Sequence, residues 1–364
     1  MYDENIINEA LDYTRHAVAV QIEELIQKKR SVKGAYGPLY DLLSDYPFRK
    51  GKTLRPAICI ATARAAGGMA QQAMHSAAAL EMYHNAFLIH DDVEDGSESR
   101  RGKNTLHELV GIPRAVNTGD ATYLLALSFL LENLDTVGVS KAMHVMHEIE
   151  NMARQSVEGQ SMELDWVANH TFGLGDEDYY RMCTKKTCWY TFIAPLRIGY
   201  ITGTPVWKEE DMIENLARLT QFGMMLGIAF QIQDDLLNLV GKLEKYGKEI
   251  AGDIYEGKRT IMLNHVIASS GQHSEAIKAI IRKPRSEKKK KDVNFILRQM
   301  DACGSIEYGR KLAEHFAAQA LQMLEGLDFL REDTLIQPAE KWECGHMDKR
   351  LLRELVNYVV LRHL

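Results

Sequence analysis

The chain has 364 residues, 46% of them hydrophobic, enough to bury a large core, and a formal net charge of −6. That acidic balance excludes a general polyanion binder, so no nucleic-acid partner is expected, although local basic clusters can still recognise phosphate groups. Cys59, Cys183, Cys188, Cys303 and Cys344 form no CxxC pair, and an odd count suits a reducing compartment, with the cytoplasm as the expected location.

The opening MYDENIINEALDY is polar and acidic, unlike a signal peptide, and the longest apolar run, 121–131, is too short for a membrane span. Apolar residues recur at spacings of three and four through 6–27, 72–91, 120–134, 141–160, 211–240 and 352–362, with almost no strand-like alternation. Gly and Pro fall between these stretches, in GAYGP (34–38), GG (67–68), GIP (111–113), FGLGD (172–176) and GTP (203–205). The pattern predicts an all-α bundle of about a dozen helices forming one folded unit over 1–364. The segment 120–134, DATYLLALSFLLENL, is apolar nearly all round, which suits a core helix or a subunit interface. The lysine run at 288–291 reads as a solvated loop or helix end.

The chemistry concentrates at LIHDDVEDGSESRRG, 88–102. On a helix, Asp91 and Asp95 share a face one turn apart, while Asp92 and Glu94 point elsewhere. Mutually repelling carboxylates at the end of an apolar segment call for bridging cations, and Arg100 with Arg101 offers planar donors matched to phosphate oxygens. A second apolar run ends in FQIQDDLLN, with Asp234, Asp235 and Asn238. Two such oxygen clusters suit Mg²⁺, which binds through a few carboxylates plus substrate phosphates. Downstream, GKEIAGDIYEGKR places Lys248, Asp253 and Lys258 in a Gly-punctuated loop, and RKGKTLRP (49–56) puts Lys52 and Arg55 beside a helix start marked by Pro56, an anion-binding arrangement. No phosphate-cradling GxxxxGK[ST] loop is present.

With GKTLRP, DDVED followed by RRG, NTGD (117–120), KKT (185–187), FQIQDDLLN and GKEIAGD with EGKRT, the chain resembles the trans-type isoprenyl diphosphate synthase (polyprenyl synthetase) family from about Gly51 to the C-terminal LLRELVNYVV. The resemblance implies the isoprenoid synthase-like helical bundle around a central active-site cavity, and a homodimer. It further implies condensation of isopentenyl diphosphate with an allylic diphosphate, with three Mg²⁺ in the loaded site. Residue by residue, it makes Asp91, Asp95 and Asp234 the metal ligands, with Asp92, Asp235 and Asn238 in support. Arg100, Lys186 and Lys248 would face the leaving diphosphate, with Lys258 also on the substrate. Lys52, Arg55, His84 and Arg101 would hold isopentenyl diphosphate, and Thr187 and Gln231 would flank the allylic cation.

Two features depart from or refine the family pattern. Asn238 stands where many members carry a third aspartate, leaving an amide oxygen to orient a metal-bound water. Product length is implied by the helix face before Asp91, where Ala86 opens space, Phe87 closes some of it, and Tyr83 and Met82 form a deeper floor. That set favours a C20 over a C15 product. A terpene cyclase would need an Asn/Asp, Ser/Thr, Glu triad, but Lys242 and Tyr246 stand at the positions counted on from Asn238. Head-to-head condensing enzymes would not need the isopentenyl diphosphate pocket, and a silent regulatory homologue would be expected to lose acids of the first motif, which is whole here.

Overall fold

A computed structural model of the chain describes residues 4–49, 51–205, 208–241, 250–330 and 349–361; Lys248 lies outside the described residues. Helices α1 (Glu4–Arg30), α2 (Gly37–Leu43), α3 (Leu54–Ala65) and α4 (Ala70–Asp95) lead to a two-residue hairpin, β1 (Ser99–Arg100) against β2 (Lys103–Asn104), paired antiparallel. Then come α5 (Leu106–Val110), α6 (Ile112–Ala168), α7 (Asp176–Cys183), a π-helical stretch Thr184–Ile193, α8 (Ala194–Gly203) and α9 (Glu209–Val240). The chain closes with α10 (Gly252–Glu256), α11 (Ile261–Ser269), α12 (Ser274–Ile281), α13 (Lys290–Ala302), α14 (Ser305–Glu325) and α15 (Lys349–Leu361). The all-α expectation is met. The periodic stretches 120–134 and 141–160 lie in one helical run interrupted at Gly138, whose φ of 79° and ψ of 165° leave the helical region. None of the helices among the described residues is long and apolar enough to cross a membrane.

The contacts group into two compact units. The first comprises Met1–Met152, Tyr190–Phe222 and Met323–Leu355. Its centre is the packing of α3 on α8 and α4, where small residues bring backbones together. A Cβ at Gly199 would stand 2.3 Å from the Cys59 carbonyl oxygen, so only glycine permits that approach. A smaller core of Tyr46, Ile89, Leu106 and Ala115 underlies the C-terminal end of α4, so the acidic motif rests on packed side chains. Within 120–134 the burial is split: Leu125, Ala126, Phe129 and Leu130 are buried, whereas Leu124, Leu127, Leu131 and Leu134 are exposed along one face.

The second unit comprises Ala153–Trp189, Gly223–Gln322 and Val356–Leu364. Its core includes Met182, Cys188, Ile232, Leu236, Ile261, Val266, Ile296 and Met300. Helix α11 starts where the Thr260 hydroxyl accepts from the Leu263 amide at 3.3 Å, as an N-cap does. Lys288 departs from the solvated reading of the lysine run. It is 7% exposed, its Nζ donates to the Tyr255 carbonyl at 2.7 Å, and burial, with Arg259 and Arg285 nearby, lowers its pKa to about 8.

Candidate active site

Helix α4 is built on alanines, good helix formers that need little space, and it ends at Gly96, whose left-handed φ of 62° terminates the helix just past the first acidic motif. Asp92 points inward and is fully buried. Its Oδ1 and Oδ2 accept from Arg100 Nε at 2.7 and 2.8 Å, Arg100 Nη2 reaches Oδ1 at 2.6 Å, and the Tyr46 hydroxyl donates to Oδ2 at 2.6 Å. Burial alone would lower the Arg100 pKa; the hydrogen bonds and charge of Asp92, with Asp91, hold it above its ordinary value. The hairpin carrying Arg100 is fixed in turn by Arg49, which donates to the carbonyls of Arg100 at 3.2 Å and Asn104 at 2.8 Å and to Asp45 at 2.6 Å.

Arg100 is thus the buried partner of Asp92 and lies 3.4 Å from Asp91 at its outer edge. Both Asp92 oxygens are engaged by Arg100 and Tyr46. Asp91 and Asp95 remain half-exposed, as carboxylates that meet a ligand must be.

The basic pocket predicted near the N-terminus lies in the same unit. Pro56 falls in the first turn of α3, after Thr53 in a left-handed conformation. Lys52 is exposed, whereas Arg55 is 9% exposed, donates to the Thr191 hydroxyl at 2.8 Å and stacks 4.4 Å over the Tyr190 ring. His84 stacks on the same Tyr190 ring at 5.8 Å. Burial, together with the charges of Arg100, Arg55 and Arg49, lowers the Arg101 pKa, and Glu81 opposes that shift. His90, beside the acids, is packed: its ring sits where a Cβ on Gly119 would come within 2.3 Å, which explains the glycine of NTGD, and it lies 3.5 Å from Asp120.

On α4 before Asp91, Ala86 and Met82 are fully buried, while Phe87 and Tyr83 are half-buried. Phe87 meets Tyr123 edge-on at 5.5 Å and Tyr190 at 5.4 Å, and Tyr83 meets Tyr123 at 5.4 Å. Tyr123 and Tyr190 were not singled out by sequence. Aromatic identity offered a signal, but the pairing with α4 did not.

In the second unit the same device recurs. Asp235 is buried, with Oδ2 accepting from the Tyr179 hydroxyl at 2.7 Å and Oδ1 from Gln231 Nε2 at 2.8 Å. Burial pushes its pKa up to about 7, and the hydrogen bonds from Tyr179 and Gln231 oppose the shift. Thr187 donates to Gln231 Oε1 at 2.7 Å, so these two predicted residues do meet. Asp234 stays half-buried next to the held Asp235. The π-helical stretch carries Lys186 and Thr187, and a wide turn of this kind is characteristic of functional sites. Lys186 pairs with Glu163, an acid that sequence reading did not select, and Lys258 pairs with Glu256 at 2.9 Å.

The Asn238 side-chain oxygen accepts from the Asp253 amide at 3.2 Å and its carbonyl from the Ala251 amide at 2.7 Å, so it fastens the start of α10. Asp235 is held by Tyr179 and Gln231.

Residues 38–300 match the polyprenyl synthetase family. A geranylgeranyl pyrophosphate synthase of Geoglobus acetivorans is 31% identical over 89% of this chain and 94% of its own, and an octaprenyl diphosphate synthase of Escherichia coli is 32% identical over 76% and 80%. Among solved structures, a polyprenyl synthase from Caulobacter crescentus, complexed with calcium and isoprenyl diphosphate, superposes with a TM-score of 0.78 at 27% identity over 98% of both chains. In each acidic motif a tyrosine holds the second aspartate inside and leaves the first at the surface, on a helical chain of this ancestry; the protein belongs to the polyprenyl synthetase family of prenyltransferases.

Proposed function

We propose that the protein condenses isopentenyl diphosphate with an allylic diphosphate to give a short all-trans prenyl diphosphate, geranylgeranyl diphosphate (C20), with the whole chain acting as one polyprenyl synthetase domain. The observation that carries this reading is the repeated arrangement just described: Asp92 locked by Arg100 and Tyr46, Asp235 locked by Tyr179 and Gln231, with Asp91, Asp95 and Asp234 left as ligands. That donor set fits Mg²⁺. Among the described residues no three acidic, His or Cys side chains form a ready-made metal cage, and Mg²⁺ characteristically completes its shell with waters and substrate phosphates. When bound, the metal ions, three in the loaded site, neutralise the charge that develops on the departing diphosphate.

Lys186 adds positive charge to that leaving group from the π-helical stretch, and Lys248 and Lys258 act on the same diphosphate. The allylic C1–O bond breaks with its electron pair passing to diphosphate. Thr187 and Gln231, hydrogen-bonded to each other, present oxygen lone pairs toward the cation. Lys52, Arg55, His84 and Arg101 hold isopentenyl diphosphate so that its double bond attacks C1, and a proton then passes to the released diphosphate. Arg100 acts at one remove by fixing Asp92 and the end of α4. Mg²⁺-dependent release of inorganic diphosphate from an allylic substrate only when isopentenyl diphosphate is present tests this reaction; release from either substrate alone contradicts it.

Chain length follows from the aromatic group of Phe87, Tyr83 and Tyr123, which would stop the growing tail. Phe87→Ala is expected to yield products one or more isoprene units longer, and Ala86→Phe to shift the product toward C15. Reversed-phase chromatography of the dephosphorylated alcohols reads both, and unchanged lengths would place the tail elsewhere.

The apolar face of α6 supports a homodimer. Leu124 and Leu131 are 66% and 58% exposed, with Leu127 and Leu134 on the same stripe, and a contiguous apolar stripe of this kind marks an interface. Leu124→Glu with Leu131→Glu is expected to convert a dimer into a monomer in sedimentation equilibrium; a dimer that survives both changes lies on another face.

A further inference from the structure

We infer that Glu81 is a positioning residue for isopentenyl diphosphate, a buried carboxylate that sets the directions of Arg55 and Arg101. The inference rests on the reading of those arginines as the diphosphate pocket. Glu81 lies on α4 nearly three turns before Asp91, is 5% exposed, and its Oε2 has no hydrogen-bond partner among the described residues. Such an oxygen is normally satisfied, so an open acceptor buried among cations calls for a functional explanation.

The surrounding groups supply one. Burial holds the Glu81 pKa above its ordinary value, and the charges of Arg101 and Arg55, a hydrogen bond with Asn85 and the charge of Arg15 oppose that shift. Arg55 has one nitrogen on Thr191 and a buried Nε without a partner among the described residues. The Arg101 guanidinium lies over Gly51, where a Cβ would stand 2.8 Å from it. Its Nη1 makes only long contacts, 3.4 Å to the Arg49 carbonyl and 3.5 Å to that of Tyr46. Arg15, from α1, pins the same loop by donating to the Gly51 carbonyl at 2.7 Å.

Arg101 is therefore held weakly by hydrogen bonds and is repelled by Arg100, Arg55 and Arg49, while Glu81 is the carboxylate that opposes them. With that charge in place Arg55 keeps a buried Nε and Arg101 a loosely held guanidinium to offer, the donors a diphosphate requires. Without it, mutual repulsion turns them toward solvent, and preorganisation is lost.

Glu81→Gln keeps the shape and removes the charge. The expected result is a rise of about tenfold in KM for isopentenyl diphosphate, with kcat and the allylic KM within about twofold of wild type. Affinity for inorganic diphosphate, measured by calorimetry without metal, should fall in parallel, and Glu81→Asp should recover part of both. An unchanged or lowered KM overturns the inference, as does a lowered melting temperature with KM unaltered. Should Glu81→Gln not fold, Glu81→Asp decides: a selective rise in the isopentenyl diphosphate KM supports the role and wild-type constants overturn it. Arg101→Ala, run alongside, separates the two levels. If it raises that KM while both Glu81 variants are silent, Glu81 alone is misassigned; if it too is silent, the pocket reading has failed and the inference with it.

Discussion

Asp91→Ala is expected to lower kcat by about 10³-fold or more, about 4 kcal/mol of barrier, while circular dichroism and the melting curve stay those of the wild type. The separation of activity from stability follows from the geometry. The Asp91 side chain is 26% exposed and touches Arg100 only at 3.4 Å, whereas Asp92 holds Arg100 through contacts of 2.6 to 2.8 Å. Removing Asp91 therefore deletes the proposed cation ligand and leaves the hairpin seated. Asp234→Ala follows the same logic, since Asp235 keeps its Tyr179 and Gln231 contacts when its neighbour is cut back. Steady-state kinetics at saturating Mg²⁺ checks both variants, and wild-type turnover in either one contradicts the metal assignment.

Asp92→Ala has the opposite signature, losing stability and activity together. The substitution leaves the Arg100 guanidinium 8% exposed and without its principal counter-ion, and breaking a buried pair from one side costs about 3–5 kcal/mol. Tyr46, whose hydroxyl donates to Asp92 and accepts from the Leu106 amide at 3.3 Å, loses its own acceptor in the same step. Asp92→Asn, which keeps the size and one acceptor, should fall between wild type and Asp92→Ala. Thermal and denaturant unfolding measure the difference, and an Asp92→Ala protein as stable as the wild type would mean that Arg100 finds another partner.

The contrast between adjacent aspartates shows what the sequence made legible. Helical periodicity located α1, α4, α6 and α9, and the spacing of Asp91 and Asp95 identified the outward face of the first motif. The family resemblance set Thr187 and Gln231 beside the same allylic cation, and their side chains meet at 2.7 Å. Illegible were the partners that decide which acid is available. Tyr46 is 46 positions from Asp92 and Tyr179 is 56 from Asp235, and nothing local to either tyrosine indicates where its hydroxyl will donate. The same holds for Arg100 and Arg101, both read as phosphate donors, of which the hairpin turns the first inward onto Asp92 and leaves the second over Gly51. Asn238 was read by its position in a motif, whereas its amide answers to the backbone of a loop further along the chain. The π-helical widening at Thr184–Ile193 had no periodicity of its own to give it away.

The most direct test of the account is mass spectrometry of the dephosphorylated products after purified protein is incubated with Mg²⁺, isopentenyl diphosphate and, in turn, dimethylallyl, geranyl and farnesyl diphosphate. The account predicts elongation that ends in a single C20 alcohol. No elongation from any of the three starters would contradict it.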